Sequence, residues 1–135
     1  MSIDQKRQMI YPTLRYKDAP AAVTFLTEVL GLRADFVVPG PDDTIAHAQL
    51  AWGNELIMLG SAVGDERGIS SEVGGCCIYL AIDDPDAHHD RAVAGGAEVA
   101  MGLTDQEYGS REFAVRDAEG NLWCFGTYQP APGDH

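Results

Sequence analysis

The sequence predicts an α+β fold built from two tandem βαβββ modules. The order strand–helix–strand–strand–strand occurs twice along the 135 residues. A helix start recurs at a fixed offset, since Asp18 and Asp84 differ by 84 − 18 = 66. A strand segment recurs at the same offset, because Met58-Leu59-Gly60 aligns with Cys124-Phe125-Gly126 and 124 − 58 = 66. Agreement between the spacing and the order of elements indicates an internal repeat within one domain of ordinary size.

The first predicted module covers about residues 9–60. Met9–Tyr16 is its first strand, and Asp18 caps a helix that Gly31 ends. The patterning then predicts three further strands, separated by turn residues: Leu32–Val38, Thr44–Trp52 and Glu55–Gly60. Ser61–Gly75 has no apolar pattern and is rich in Gly, Ser and charged residues, so it is predicted to be a linker.

The second predicted module covers about residues 76–129. Cys76–Ile82 is its first strand, and Asp84 opens a helix that ends at Gly95-Gly96. Three strands complete the module: Ala97–Leu103, Ser110–Arg116 and Leu122–Tyr128. The last two form a hairpin around Gly120, which supplies the positive φ that a short loop needs. The helix has a weak apolar stripe, and His88-His89 on it are predicted to face solvent among acidic residues.

The charge and cysteine content restrict the partners and the compartment. The formal net charge is −12, with only nine Lys and Arg, which argues against nucleic acid and against anionic membranes as partners. Three cysteines without a Cys-x-x-Cys motif favour a reducing compartment. No apolar run approaches the ~18 residues of a membrane span, and the N-terminus has no apolar signal core. We therefore expect a soluble, cytoplasmic protein.

The closing hairpin carries a family resemblance. Arg111–Trp123, REFAVRDAEGNLW, is close to a closing hairpin in which Asp-Pro-(Asp/Glu)-Gly is common, with Ala118 in place of the usual Pro. Tyr11–Tyr16 followed by Asp18, and Ile78–Asp84, match the openings of the two modules. Over about residues 9–129 the chain thus resembles the vicinal oxygen chelate superfamily of glyoxalases, bleomycin resistance proteins and extradiol dioxygenases. The resemblance implies a single glyoxalase/bleomycin-resistance-like domain over residues 1–135. Its modules would form a cupped, open eight-stranded mixed β-barrel with the helices outside.

The resemblance also implies where a metal would bind. Metal-dependent members place one ligand, usually His, Gln or Glu, on each of four strands. Spacing puts these residues at the four positions: Tyr11, Met58, Cys77 and Cys124. Tyrosine and methionine are poor ligands for divalent metals, and two thiolates alone leave zinc short of two ligands. We therefore expect no metal and no other cofactor. Cys77 and Cys124 are interpreted either as a reactive pair or as small buried hydrophobic residues.

Strand alternation predicts which side chains line the pocket of the implied barrel. Faces that mix polar and apolar residues suit an amphipathic ligand, whereas Trp123 and Phe125 are predicted to pack under a helix. The candidate pocket residues are Tyr11, Thr13, Arg15, His47, Met58, Cys77, Tyr79, Arg111 and Cys124. Two alternatives stay open: His47 is either a hydrogen-bonded structural residue or a base, and Arg111 binds either a ligand anion or an acidic neighbour.

These observations favour a metal-independent protein that binds or sequesters a small amphipathic ligand in the β-cup. The alternative is a metal-dependent lyase, isomerase or dioxygenase with a non-standard ligand set, such as His47 with Glu or Cys side chains. A purely structural or interaction module is a third possibility. No catalytic residue can be assigned, so enzymatic activity stays open. The resemblance further implies a homodimer, and the Ser61–Gly75 linker is long enough to permit exchange of modules between two chains.

Overall fold

Each half of the chain forms its own four-stranded mixed sheet. The computed structural model describes residues 2–62 and 72–133. The chain divides into two units, Met1–Gly74 and Gly75–His135. Residues 63–71 of the predicted linker lie outside the described residues, and Ser61 belongs to the preceding strand.

The first unit contains the predicted βαβββ order. Its elements are β1 (Thr13–Tyr16), α1 (Ala19–Thr24) with a following π-helical turn (Phe25–Val29), β2 (Arg33–Pro39), β3 (Ile45–Trp52) and β4 (Glu55–Ser61). The sheet order is β1-β4-β3-β2, with β1 and β4 parallel and the other pairs antiparallel. The Asp18 side chain accepts a hydrogen bond from the backbone N–H of Ala21 at 3.1 Å, which confirms the predicted cap.

The second unit repeats this order. Its elements are β5 (Cys77–Ala81), α2 (Pro85–Ala94), β6 (Glu98–Asp105), β7 (Arg111–Arg116) and β8 (Leu122–Gly126). The sheet order is β5-β8-β7-β6, and Asp84 caps α2 by accepting from the backbone N–H of Ala87 at 3.1 Å. The predicted α+β class and module order are therefore confirmed. Among the described residues, no helix is both long and apolar enough to cross a membrane.

The 66-residue repeat is visible in the pairing of the parallel strands. Thr13 pairs with Met58 in the first unit, and Tyr79 pairs with Cys124 in the second. Both partners shift by the same amount, since 79 − 13 = 66 and 124 − 58 = 66. The offset found in the sequence is therefore an offset in strand register.

The first strand is shorter than predicted, because it begins at Thr13 and not at Met9. The Gln8 side chain hydrogen bonds to the backbone of Leu56, since it accepts from the N–H at 2.6 Å and donates to the C=O at 2.8 Å. A side chain thus satisfies two backbone groups of β4 that a longer β1 would have paired.

Alternation divides each sheet into a buried face and a second face. The large apolar side chains of the strands that are at most 5% exposed are Leu14, Tyr16, Leu50 and Leu59 in the first unit, and Leu80, Phe113, Val115, Trp123 and Phe125 in the second. Trp123 and Phe125 are both 0% exposed, which confirms that they belong to the core.

The prediction that His88 and His89 face solvent is wrong. Both histidines are half-buried. The ring of His88 lies 4.7 Å from the ring of Phe125, and the ring of His89 meets Phe113 edge-on at 5.4 Å. The imidazoles therefore supply packing surface that the weak apolar stripe of α2 lacks.

The loop between β7 and β8 is organised around the Asp117 carboxylate. Asp117 is 6% exposed, and its Oδ2 accepts from Trp123 Nε1 at 3.0 Å. Its Oδ1 accepts from the backbone N–H groups of Glu119 and Asn121 at 2.9 and 3.0 Å. Asn121 donates its side-chain amide to the same carboxylate and accepts from the backbone N–H of Cys76 at 3.1 Å. One carboxylate therefore ties together the loop, the core tryptophan and the start of β5.

We expect Asp117→Ala to lower the free energy of unfolding by about 3 kcal/mol, because it leaves buried donors of Asn121 and Trp123 without an acceptor. Asp83→Ala is the control, since Asp83 is an exposed carboxylate of the same unit, and we expect a change within about 0.5 kcal/mol. Urea denaturation measures both. Equal losses in the two variants would show that the Asp117 contacts do not stabilise the fold.

Candidate functional site

Two cysteines, a tyrosine and a glutamate of the second unit lie on the face of its sheet that points away from α2. Phe113 and Phe125 contact α2, so residues that alternate with them in the strands point away from it. Strand pairing brings together two rows on this face: Tyr79, Cys124 and Ala114 in one, and Ala81, Gly126 and Glu112 in the next. We call these residues, together with Cys77, the second-sheet site.

Two thiols lie side by side in the second-sheet site. The Sγ atoms of Cys77 and Cys124 are 3.6 Å apart, and both cysteines are free. Burial raises the pKa of the Cys124 thiol to about 11, and the hydrogen bond with Cys77 and the charge of Glu112 act in the same direction. Cys124 therefore stays a protonated thiol at neutral pH, which disfavours Cys124 as a nucleophile. The interpretation of both cysteines as small buried hydrophobic residues does not fit either, because Cys77 is exposed and Cys124 is half-buried.

Tyr79 fastens the segment after β8 to β5. Its hydroxyl donates to the backbone carbonyl of Tyr128 at 2.8 Å, and Ser110 hydrogen bonds to the same hydroxyl. The backbone N–H of Tyr128 in turn donates to Ser110 Oγ at 3.0 Å. The sequence predicts that the last strand ends at Tyr128, whereas β8 ends at Gly126. The difference arises because the backbone of Tyr128 bonds to the side chains of Tyr79 and Ser110. Burial is the main cause of the raised pKa of Tyr79.

Glu112 is the functional candidate that the sequence interpretation missed. It is only 8% exposed, and its Oε1 accepts from the hydroxyl of Tyr108 at 2.8 Å. That hydrogen bond is the main cause of the raised pKa of Tyr108. A usable signal exists in the strand pattern, because a glutamate that alternates with Phe113 and Val115 must lie on the face opposite the helix. The sequence contains 21 acidic residues, so composition alone does not distinguish Glu112 from the others.

Gly126 creates the room that Glu112 and Tyr79 occupy. A Cβ atom at this position would lie 2.5 Å from Glu112 Cγ and 2.6 Å from Tyr79 Oη. The glycine is therefore required by space and not by a special backbone conformation.

The first unit holds five of the predicted pocket residues. Thr13, Arg15 and Met58 share the face opposite α1, because they alternate with the buried Leu14 and Leu59. Arg15 Nη1 would lie 2.7 Å from a Cβ placed on Gly60, so the guanidinium crosses the sheet there. The other two predicted residues are described separately below.

Of these two residues, Tyr11 does not lie where its prediction required, whereas His47 shares the face of Met58. Tyr11 precedes β1 and is 38% exposed, so the structure does not place it on the first strand. His47 lies on β3, and its Nε2 is 2.9 Å from Gln49 Oε1. This contact supports the alternative in which His47 is a hydrogen-bonded structural residue.

Arg111 does not join the other predicted residues of its unit. It points to the side of α2, where its Nε donates to Asp86 Oδ1 at 2.7 Å and its Nη1 to Asp105 Oδ1 at 3.1 Å. These two carboxylates raise the pKa of Arg111 above its ordinary value, and Arg111 lowers that of Asp86. Of the two alternatives for Arg111, the structure supports the acidic neighbour.

A recess of about 350 Å³ opens where β5 and β8 end. It is lined by Ala81, Ile82, Asp83, Thr127 and Gln129. Since Ala81 pairs with Gly126, the recess adjoins the second-sheet site. Its volume is within the range of small-molecule pockets.

A comparison with models of protein families tests the resemblance to the superfamily. A model described as the glyoxalase/bleomycin resistance protein/dioxygenase superfamily matches residues 8–125. The chain belongs to this superfamily. The resemblance inferred from the closing hairpin and the repeated modules is therefore confirmed.

Individual proteins of similar sequence or similar fold match most of the chain. An uncharacterised protein of Mycobacterium tuberculosis H37Rv is 33% identical over 121 residues, which span 85% of this chain and 71% of that protein. TioX from Micromonospora sp. ML1 is 31% identical, with a TM-score of 0.76 over 90% of this chain and 99% of TioX. Lactoylglutathione lyase from Agrobacterium tumefaciens is 22% identical, with a TM-score of 0.69 over 88% of this chain and 92% of the lyase. At that identity the lyase shows a shared fold alone.

The four positions that would hold a metal in this superfamily do not fit a Lewis-acid metal here. Tyr11 lies outside β1, and Met58 offers only a thioether. Cys77 and Cys124 together offer two thiols, which leave zinc short of two ligands. Within residues 2–62 and 72–133, no three His, Cys, Asp or Glu side chains are grouped to hold one ion. This donor set differs from the His, Gln and Glu ligands that the resemblance implies.

We expect Gly126→Ala to lower the free energy of unfolding by about 1–3 kcal/mol, because its methyl group would displace Glu112 and Tyr79. Gly102→Ala on β6 is the matched control, since a Cβ there meets nothing within 4 Å and the glycine has no positive φ. The control should be neutral or slightly stabilising. Denaturation midpoints compare the two, and equal effects would contradict the close packing over Gly126.

We expect alkylation of Cys124 by iodoacetamide to accelerate about tenfold per pH unit from pH 7 to 10 in the folded protein, without a plateau. The reason is the pKa of about 11, against 9.0 for an unperturbed thiol. Peptide mass spectrometry separates Cys124 from the other two cysteines. Protein unfolded in urea is the control, in which the rate should level off above pH 9. A plateau below pH 9 in the folded protein would contradict the raised pKa.

Proposed function

We propose that the protein is a metal-independent small-molecule binding protein that binds or sequesters a small amphipathic ligand. The observation that carries this proposal is the composition of the second-sheet site and its surroundings. It combines two thiols, a largely buried carboxylate and partly exposed tyrosine rings next to a recess of about 350 Å³. Such a mixture offers apolar contact area together with a few fixed polar groups, as ligand pockets do.

The departure from the metal-ligand pattern supports binding over metal-assisted catalysis. Lewis-acid chemistry needs hard or borderline ligands in convergent geometry, and the four implied positions hold Tyr11, Met58, Cys77 and Cys124. The fold itself does not decide the matter, because one fold supports both binding and catalysis. The open eight-stranded barrel that the resemblance implies stays part of the proposal, as the container of the ligand.

The proposal includes a cytoplasmic homodimer. Three free cysteines suit a reducing compartment, and two such chains are expected to pair, as the superfamily resemblance implies. The net charge of −12 leaves nucleic acid and membranes as poor partners.

Native mass spectrometry of dialysed protein, combined with thermal-shift screening of a small-molecule library, tests the proposal. We expect twice the 14.5 kDa chain mass, no stoichiometric metal, and library compounds that raise the melting temperature because they bind the native state. Added zinc, nickel or iron salts serve as the control and should leave the melting temperature unchanged.

Three results would overturn parts of this proposal. One equivalent of zinc, nickel or iron that survives dialysis would favour a lyase, isomerase or dioxygenase with another ligand set. Failure of every compound to stabilise the protein would favour an interaction module. A monomer at working concentration would refute the dimer.

A further inference from the structure

Glu112 is a largely buried residue whose carboxylate has one oxygen without a donor among the described residues. The residue is 92% buried, as its exposed fraction of 8% implies, and Oε1 accepts from the neutral hydroxyl of Tyr108. In the part of the chain that the structure describes, no group donates to Oε2 and no cation pairs with the carboxylate. Among the described residues, no fully buried side-chain oxygen lacks a hydrogen-bond partner, so Oε2 reaches the accessible surface of the site. A further donor can therefore bond to it there.

The basic side chains nearest in sequence are committed elsewhere. Arg111 precedes Glu112 but lies on the other face of β7, where Asp86 and Asp105 hold it. Arg116, two rows further along β7, is 3.9 Å from Glu98. The negative charge of Glu112 is therefore not neutralised by either arginine of its own strand.

Three tyrosines lie next to this carboxylate or next to one another beside it. Tyr108 donates to it and meets Tyr128 edge-on, with ring centroids 5.6 Å apart. A Cβ atom placed on Gly126 would lie 2.6 Å from Tyr79 Oη and 3.1 Å from Glu112 Oε2, so both oxygens lie over this glycine. The three tyrosines are between 39% and 60% exposed, so their rings are accessible. Aromatic faces attract cations, and the adjoining recess adds the carboxylate of Asp83.

We propose that Glu112, Tyr79, Tyr108 and Tyr128 form the subsite for a cationic nitrogen group of the ligand, a protonated amine that donates an N–H to Glu112 Oε2. This inference rests on the proposed function, because it names the chemical class of the ligand that the second-sheet site takes. The carboxylate supplies charge and a hydrogen-bond acceptor, and the tyrosine rings supply apolar surface around the ammonium group. A quaternary ammonium satisfies the rings but not Oε2, so a primary or secondary amine fits better.

The test compares two probes of nearly the same shape on the full-length protein at pH 7. Benzylamine is protonated and benzyl alcohol is neutral. Titrations followed by amide chemical shifts should show benzylamine binding at least about tenfold more tightly, with shifts at Glu112 and Gly126. Glu112→Gln should abolish that preference. Glu107→Gln removes an exposed carboxylate five residues away and should keep the preference.

The comparison of probes on the unaltered protein does not depend on how Glu112→Gln folds. Equal binding of the two probes, or tighter binding of benzyl alcohol, would overturn the cationic subsite and leave the proposed function standing. The same holds if neither probe binds while neutral library compounds do. An unchanged preference in Glu112→Gln, or an equal loss in Glu107→Gln, would also overturn it. Only the failure of every compound to bind would remove the proposed function as well.

Discussion

The hydrogen bonds of the Asp117 carboxylate are the interactions on which the second unit depends most. It accepts from the core indole of Trp123 and from the backbone of its own loop, at distances of 2.9 to 3.0 Å. Through Asn121 it also fixes the backbone N–H of Cys76, directly before β5. The loop thereby sets the register of β8 against both of its neighbours. Since a shift of one residue would exchange the two faces of a strand, this register decides that Cys124 points away from α2.

Glycines at equivalent positions of the two units leave space for polar side chains on the sheet faces that point away from the helices. Gly60 and Gly126 differ by 126 − 60 = 66, and they lie at the second-last position of β4 and the last position of β8. Arg15 crosses the sheet over Gly60, and Glu112 with Tyr79 occupies the space over Gly126. A larger residue at either position would exclude these side chains. The repeat thus preserves a space in which each unit places a different polar group.

The sequence predicted local features of the fold well, because these depend on neighbouring residues. The caps Asp18 and Asp84 each accept a hydrogen bond from a backbone N–H three residues along the chain. The alternation of side chains along a strand separates the face of Trp123 and Phe125 from the face of Cys124. The start of β1 was not predictable in this way. It depends on Gln8 reaching the backbone of Leu56, 48 residues away. The packing of His88 likewise depends on Phe125, which only the folded sheet brings to α2.

The candidate site was predicted in part for the same reason. Alternation placed Cys77, Tyr79 and Cys124 on one face, and their mutual contacts follow from strand pairing. Arg111 shares the parity of Phe113, so alternation places it on the α2 side of the sheet and not among the pocket residues. Alternation also places Glu112 on the face of Cys124, but the burial that distinguishes it from the other acidic residues depends on tertiary packing.

The distribution of charge separates this chain from the metal-dependent pattern of its superfamily. The position on β8 that would carry a carboxylate holds Cys124, and the buried carboxylate lies instead on β7, at Glu112. The two are coupled, since the charge of Glu112 is one cause of the raised pKa of Cys124. A cation bound at Glu112 would offset that charge and so lower the pKa of the thiol. Occupation of the proposed subsite and the protonation of Cys124 are therefore linked through one carboxylate.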